Sequence, residues 1–245
     1  MIMPDHENMP RYSFDNFLVG KSNEFAHVLA KTVAERPGSY NPLFIYGDSG
    51  IGKTHLLKAI ERLAVELRPN TLTLYIDCDE LVRHIVRSIK ADSSEESIRS
   101  FQAVDMLLLD NVNCLAGKRT TQRTVFEIVM ACVNSGHQVV LASSENPSTL
   151  TALDEMIRSN CEKGVLADIQ KPDKNLLSDI IKTKAFAAGV LLSAEQFRLV
   201  ESFHFENIRQ VEGFIRYLSA HVVSGQEVYG STIEEAASVM QLVHS

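Results

Sequence analysis

The sequence predicts an α/β fold, a parallel sheet covered by helices on both faces, followed by a smaller all-helical domain. Three observations carry this expectation. Short apolar runs alternate with segments of helical periodicity between residues 43 and 169. The first run ends in a glycine-rich loop that opens directly into a helical segment. Beyond Lys171-Pro172 only helical periodicity remains.

Taken in order, residues 1–11 form a polar leader without the apolar core of a signal peptide. In the mixed segment Tyr12–Pro42, Phe25, Val28, Leu29 and Val33 share a helical face, and Pro37-Gly38 ends that helix. Leu43–Gly47 (LFIYG) reads as a short buried strand. Helical patterning runs from Lys53 to about Leu67, with Leu56, Leu57, Ile60, Leu63 and Ala64 inward. Thr71–Ile76 fits a second strand and Glu80–Ile89 a helix, while the Ser/Glu-rich stretch Ala91–Ser97 fits a loop or a new helix start. Met106–Asp110 (MLLLD) is an apolar strand closed by a carboxylate, and about Thr121–Asn134 is helical. Val139–Ser143 and Val165–Ile169 supply the fourth and fifth strands. From Asp173 to His244 the helical pattern breaks near Gly189, Asn207 and Ser224–Gly230.

Apolar residues make up 45% and charged residues 22% of the 245, an ordinary balance for a globular chain with a sizeable core. No apolar run approaches a membrane span, so a cytoplasmic protein without membrane contact is expected. Cys78, Cys114, Cys132 and Cys161 form no CxxC pair, and the histidines show no ligand spacing. Reduced, partly buried thiols fit this better than a metal site. The net charge of −7 argues against coating nucleic acid with the whole surface, but it leaves room for a local basic strip.

The chemistry concentrates in Gly47-Asp48-Ser49-Gly50-Ile51-Gly52-Lys53-Thr54, which matches GxxxxGK[ST] between strand and helix. Glycines let the backbone wrap a phosphate, with N–H groups and the helix N-terminus aimed at the anion. Lys53 can bridge β- and γ-phosphates, and the Thr54 hydroxyl suits Mg²⁺. The expected nucleotide-contacting stretch is thus Gly47, Asp48, Ser49, Gly50, Ile51, Gly52, Lys53, Thr54 and the adjoining His55, with ATP or ADP as ligand. His55 reads as a packing or helix-surface residue rather than a base. Asp110, closing its apolar strand, can hold Mg²⁺ with Thr54. Asn111 follows where many ATPases of this type carry a second acid, and an amide cannot take a proton from water. The expected organisation is leader 1–11, an α/β nucleotide-binding domain over 12–172 and a helical lid over 173–245.

Longer strings sharpen this. YSFDNFLVGKSNEFAH (Tyr12–His27), NPLFIYGDSGIGKTHLLKAI, VDMLLLDNVNCLAGK, GVLADIQKPD (Gly164–Asp173) and NIRQVEGFI (Asn207–Ile215) together resemble the ATPase domain of the bacterial replication initiator family DnaA, within the AAA+ superfamily. The resemblance covers about residues 11–243. It implies an AAA+ P-loop domain of three α/β/α layers, with five parallel strands, a small helical lid, and ATP at their junction. It places Val19 and Gly20 beside the adenine, and Arg209 as the lid arginine approaching the γ-phosphate, so that Lys53, Asp110 and Arg209 form the catalytic set.

Departures from the family pattern matter as much. The stretch LDEMIRSNCEKG holds Asn160 where the family places an arginine that reaches a neighbouring subunit's ATP; Met156 replaces another basic residue, and Arg158 remains. An amide offers no fixed charge to a transferring phosphoryl group. Ser144 stands where the initiators usually carry an acid. Neither the N-terminal partner-binding domain nor the duplex-reading helix-turn-helix domain of full initiators is expected within this sequence. The Asp110-Asn111 pair and Cys114 are closer to the family's short Hda-like members, although MIMPDHENMP contains no glutamine-led apolar clamp-binding peptide.

Arg83, His84, Arg87 and Lys90 on one helix, with Lys118, Arg119 and Arg123 after the acidic strand, form a candidate strip for single-stranded DNA; the bland alternative is a solvated helix face. No aromatic residue interleaves it. The leading expectation is an ATP-binding module in chromosomal replication initiation or its regulation, a slow or inactive ATPase acting as a nucleotide switch, with the initiator or like subunits as partners. Two alternatives stay open: an active ring- or filament-forming ATPase that engages single-stranded origin DNA, and a non-hydrolysing interaction protein.

Overall fold

The computed structural model describes residues 12–90, 101, 103–151 and 153–244. The 1–11 leader and the Ser/Glu-rich stretch Ala91–Ser97 lie outside those residues, as do the side chains of Lys90 and Arg119. Five strands, β1 (Leu43–Tyr46), β2 (Thr73–Asp77), β3 (Met106–Asp110), β4 (Gln138–Ser143) and β5 (Val165–Asp168), form one parallel sheet in the order β2-β3-β4-β1-β5. β3 and β4 are buried along their whole length, which is why they read as unbroken apolar runs rather than alternating ones.

The pleat divides the strand side chains between two cores. Leu43, Ile45, Met106, Leu108 and Val140 face α1 (Glu24–Glu35) and α2 (Lys53–Leu67). Phe44, Leu107, Leu109, Val139 and Leu141 face α3 (Cys78–Lys90), α4 (Arg119–Asn134) and α5 (Glu155–Glu162). The result is three layers, α/β/α. After β5 come α6 (Lys174–Ala187), α7 (Ala194–Glu201), α8 (Ile208–Val223) and α9 (Gly230–Val239), which share a third core around Phe214, Val211, Leu218 and Ile233. Side chains of Asp173, Ser193 and Asn207 cap the first three of these helices by accepting from backbone N–H groups. A single antiparallel bridge, Phe203 to His244, interrupts the otherwise helical pattern there. No helix among the described residues is long and apolar enough to cross a membrane.

Two sequence expectations change. On α1, Phe25 and Val28 are 56% and 52% exposed, and the buried face is Ala26, Leu29, Ala30, Val33 and Ala34. α1 packs closely on α2, and alanines permit that approach where phenylalanine would not. α3 begins at Cys78, directly behind the last residue of β2, rather than at Glu80. That tight connection brings the Cys78 thiol into hydrogen-bond contact with Cys114, a proximity the sequence spacing conceals. Burial of this kind predicts a sharp contrast. Leu108→Ala, in a fully buried site on β3, should lower unfolding free energy by about 2–5 kcal/mol, while Phe25→Ala on exposed α1 should change it by less than about 0.5 kcal/mol, both read from urea denaturation midpoints.

Candidate functional site

A parallel sheet gathers its strand C-termini on one edge, and the cleft at such an edge is where ligands of open α/β sheets sit. Here a cleft of about 410 Å³ opens at that edge between the sheet and the helical segment. Its walls come from the Gly47–His55 loop, the tip of β3, Ser144 after β4, the Tyr12–Leu18 segment, and α6 with α8.

The loop is built so that little except glycine fits its turns. A Cβ on Gly47 would lie 2.2 Å from the Ile169 carbonyl oxygen, and Gly52 sits at φ 113°, where side chains are strained. Gly52 is also the N-cap of α2 and carries no side-chain cap, so the first-turn N–H groups remain available to an anion. Ile51, 2% exposed, anchors the loop into the α1/α2 core. Lys53 Nζ donates to the carbonyls of Gly47 at 2.6 Å and Asp48 at 2.8 Å. Burial lowers the Lys53 pKa, opposed by Asp110 and reinforced by the Arg209 charge.

Asp110, 3% exposed, ends β3 beside the loop. Its Oδ2 accepts from Thr54 Oγ1 at 2.6 Å and from the Tyr75 hydroxyl at 3.1 Å, and its Oδ1 from the Asn111 N–H at 2.9 Å. Hydroxyl and carboxylate oxygens so close together are the donor set a hard cation such as Mg²⁺ takes, and Thr54 and Asp110 are the residues that could hold it. Asn111 adopts a left-handed conformation (φ 60°), and its Nδ2 donates to Asp77 Oδ2 at 2.8 Å. Asn113 Oδ1 accepts from Ser144 N at 3.2 Å.

The helical segment closes the cleft from the other side. Arg209 donates from a guanidinium nitrogen to Ser49 Oγ at 3.0 Å, and Ile208 N–H donates to the Gly50 carbonyl at 3.1 Å. Lys184 on α6 and Glu212 on α8 pair at 2.6 Å inside the cleft. His55 Nε2 meets the Ser13 carbonyl at 2.8 Å, with Tyr12 and Phe17 ring edges around it, which is the packing role expected of it.

Lys53, Thr54, Asp110, Arg209, Ser49, Gly50, Gly52 and His55 therefore line one cleft. Gly47, Asp48 and Ile51 shape the loop from behind. Val19 and Gly20 do not line the cleft; Val19 is 44% exposed, and Gly20 lies against Leu176, with its N–H on Asn23 Oδ1 at 2.8 Å. Leu18 and Asn23 occupy the wall instead. Sequence reasoning missed Tyr75, Asp77, Asn113, Lys184 and Glu212, for no motif spacing ties them to the loop. Away from the cleft, Arg83, Arg87 and Arg123 are exposed, whereas Lys118 Nζ is paired with Asp79 at 3.2 Å. Asn160 accepts from Lys163 Nζ at 3.0 Å, and Met156 is 65% exposed.

This fold and site define a P-loop nucleotide-binding domain of the AAA+ type; likeness to the FIGL-1 AAA domain (TM-score 0.64, 13% identity, 92% of this chain and 83% of that one) concerns the fold alone. Residues 9–168 match the family described as the bacterial DnaA ATPase domain, and the chain belongs to that family. It is 37% identical over 217 residues to the chromosomal replication initiator protein DnaA of Corynebacterium jeikeium, covering 88% of this chain and 37% of that protein. It is 36% identical over 218 residues to DnaA of Thermomicrobium roseum, covering 89% of this chain and 47% of that protein. The chain thus spans less than half the length of these curated relatives. Among solved structures, domain III of the Thermotoga maritima replication initiation protein DnaA matches with TM-score 0.90 and 32% identity, over 95% of this chain and 98% of that one. A replication initiator DnaA bound to AMPPCP and single-stranded DNA matches with TM-score 0.80 and 32% identity, over 89% and 67%.

The cleft wall also carries a pH signature. Burial holds His55 below the ordinary imidazole value of 6.5, with Lys184 adding to it against Ser13 and Glu212; His27 is lowered by burial and then by Lys31. The unfolded chain therefore takes up protons first as pH falls. The stabilisation is full above about pH 6.5 and is lost as pH drops from there through the folded values. Urea midpoints should fall between about pH 7.5 and pH 5.5, and less steeply in His55→Gln.

Proposed function

We propose that this chain binds ATP with Mg²⁺ in the cleft and serves chromosomal replication initiation, or its regulation, as a nucleotide-dependent module whose own hydrolysis is slow or absent. Lys53 takes the β- and γ-phosphates, Thr54 and Asp110 hold Mg²⁺, and Arg209 approaches the γ-phosphate from the helical side. Relatives named as replication initiators, one of them bound to AMPPCP and single-stranded DNA, support this reading. The observation that carries it is the convergence of those four groups on one wall, alongside a shortage of bases. The carboxylates lining the cleft among the described residues are Asp110 and Glu212. Both are already bonded, Asp110 to Thr54 and Tyr75 and Glu212 to Lys184. The Asn111 amide, where a second acid would stand, is committed to Asp77. Water in the cleft thus has a poor supply of proton acceptors.

Lys53→Ala should weaken ATP by about a hundredfold, and Arg209→Ala should weaken ATP by about tenfold more than ADP, both measured with a fluorescent nucleotide analogue. Equal ATP and ADP affinity for the unaltered protein would remove the switch, because a ligand pair without differential binding energy biases nothing. Rapid steady-state hydrolysis by the protein alone would favour a motor, and stimulation of a full-length initiator's ATPase would favour an inactivator.

Single-stranded DNA is a proposed partner on the strip formed by Arg83, Arg87, Lys118 and Arg119, supported by the exposure of Arg83 and Arg87 and by the DNA-bound relative. Poly-dT anisotropy should show binding near 50 mM salt that falls by at least about tenfold near 200 mM and is halved or worse in Arg83→Ala/Arg87→Ala. Absence of binding at low salt would sink it.

A further inference from the structure

Asp110 has a partner that the nucleotide reading leaves unused. Tyr75 directs its hydroxyl to Asp110 Oδ2 at 3.1 Å, the same oxygen that accepts from Thr54 at 2.6 Å. The register pairs Tyr75 with Leu108 and Asp77 with Asp110, so the phenol reaches forward and across from β2 to the tip of β3. Its ring is fixed on two sides. One part packs against the α1/α2 core, and Lys58 Nζ on α2 lies 3.4 Å from the ring centroid. A cation on the ring face draws electron density from it and strengthens the O–H as a donor. The phenol keeps its proton throughout the ordinary range, because burial and then the neighbouring Asp110 charge push its ionisation up.

Thr54 faces two demands. Its hydroxyl belongs to Asp110 in the fold, and a cation held by the same pair of residues would compete for it. With the Thr54 bond weakened, the carboxylate is still held by the Tyr75 hydroxyl on Oδ2 and by the Asn111 N–H on Oδ1. Two donors from two strands fix both the position and the rotation of the group.

We infer that Tyr75 is a positioning residue for the metal–nucleotide site: its hydroxyl holds the Asp110 carboxylate in the orientation that Mg²⁺-dependent ATP binding requires. The inference rests on the nucleotide reading above. A tyrosine present only for packing would lend its ring to the core, and its hydroxyl would be dispensable for the metal.

The test is equilibrium ATP binding to the full chain, titrated with Mg²⁺ and repeated in EDTA, for the unaltered protein, Tyr75→Phe, Asp110→Asn and the double variant. Tyr75→Phe keeps the ring, and its urea midpoint reports whether the fold survives. The Mg²⁺ midpoint in Tyr75→Phe should rise by about tenfold, the loss of one charge-assisted hydrogen bond. In the Asp110→Asn background the same change should add no further shift, since the two act as one unit. If Tyr75→Phe fails to fold, Lys58→Gln leaves the phenol in place and should move the midpoint the same way by a smaller factor. An unchanged Mg²⁺ midpoint, or an equal loss of ATP affinity with Mg²⁺ and in EDTA, would overturn the positioning role. Absence of ATP binding by the unaltered protein at any Mg²⁺ concentration would overturn the nucleotide reading itself, a result distinguishable from failure at Tyr75 alone.

Discussion

The structure around the cleft turns on one nearly buried carboxylate. At 3% exposure, Asp110 cannot be left without donors, because an unpaired charge in such a place costs far more than a few hydrogen bonds return. Its donors come from three separate elements: Thr54 on α2, Tyr75 on β2 and the backbone N–H of Asn111 beyond β3. Satisfying all three at once fixes the register of β2 on β3 and the start of α2 relative to both. It also explains the left-handed turn at Asn111, a conformation that asparagine tolerates better than most residues. That turn folds the N–H back onto Asp110 while the side chain reaches Asp77.

A second constraint links the sheet to the helical segment. Between the phosphate loop and α8 run two polar ties, Arg209 to Ser49 and Ile208 to the Gly50 carbonyl. Each is a modest contribution, about 0.5–1.5 kcal/mol for a neutral hydrogen bond and more with a charged donor. A ligand that touches both the loop and Arg209 therefore competes with bonds of similar strength to its own, and its identity can bias how the two parts sit. The cores themselves are separate, two against the sheet and one within α6–α9, so such adjustment does not require repacking of buried side chains.

Much of this was legible from the chain. GDSGIGKT declared the loop because its glycines are required by backbone geometry that no side chain can share, as the Gly47 contact with Ile169 demonstrates. MLLLD declared a central strand with a polar tip because a strand buried on both faces has no reason to alternate. α1 was misread for an equally physical reason. Periodicity picks out large apolar residues, while close helix packing selects small ones, so Phe25 and Val28 stand in solvent and the alanines are inside. The neighbours of Asp110 and the meeting of Cys78 with Cys114 were invisible, since both depend on which residues face each other across β2 and β3.

By itself the sequence determined the local chemistry: a loop that must turn at glycines, a lysine and threonine at the start of a helix, apolar strands, and capping residues at helix ends. These depend on neighbours within a few positions, and such information is written along the chain. Tertiary structure alone decided which groups share a carboxylate, which amide is already occupied, and that Leu18 rather than Val19 lines the cleft. Those outcomes follow from strand order and register, which juxtapose residues far apart in sequence, and no local spacing encodes them.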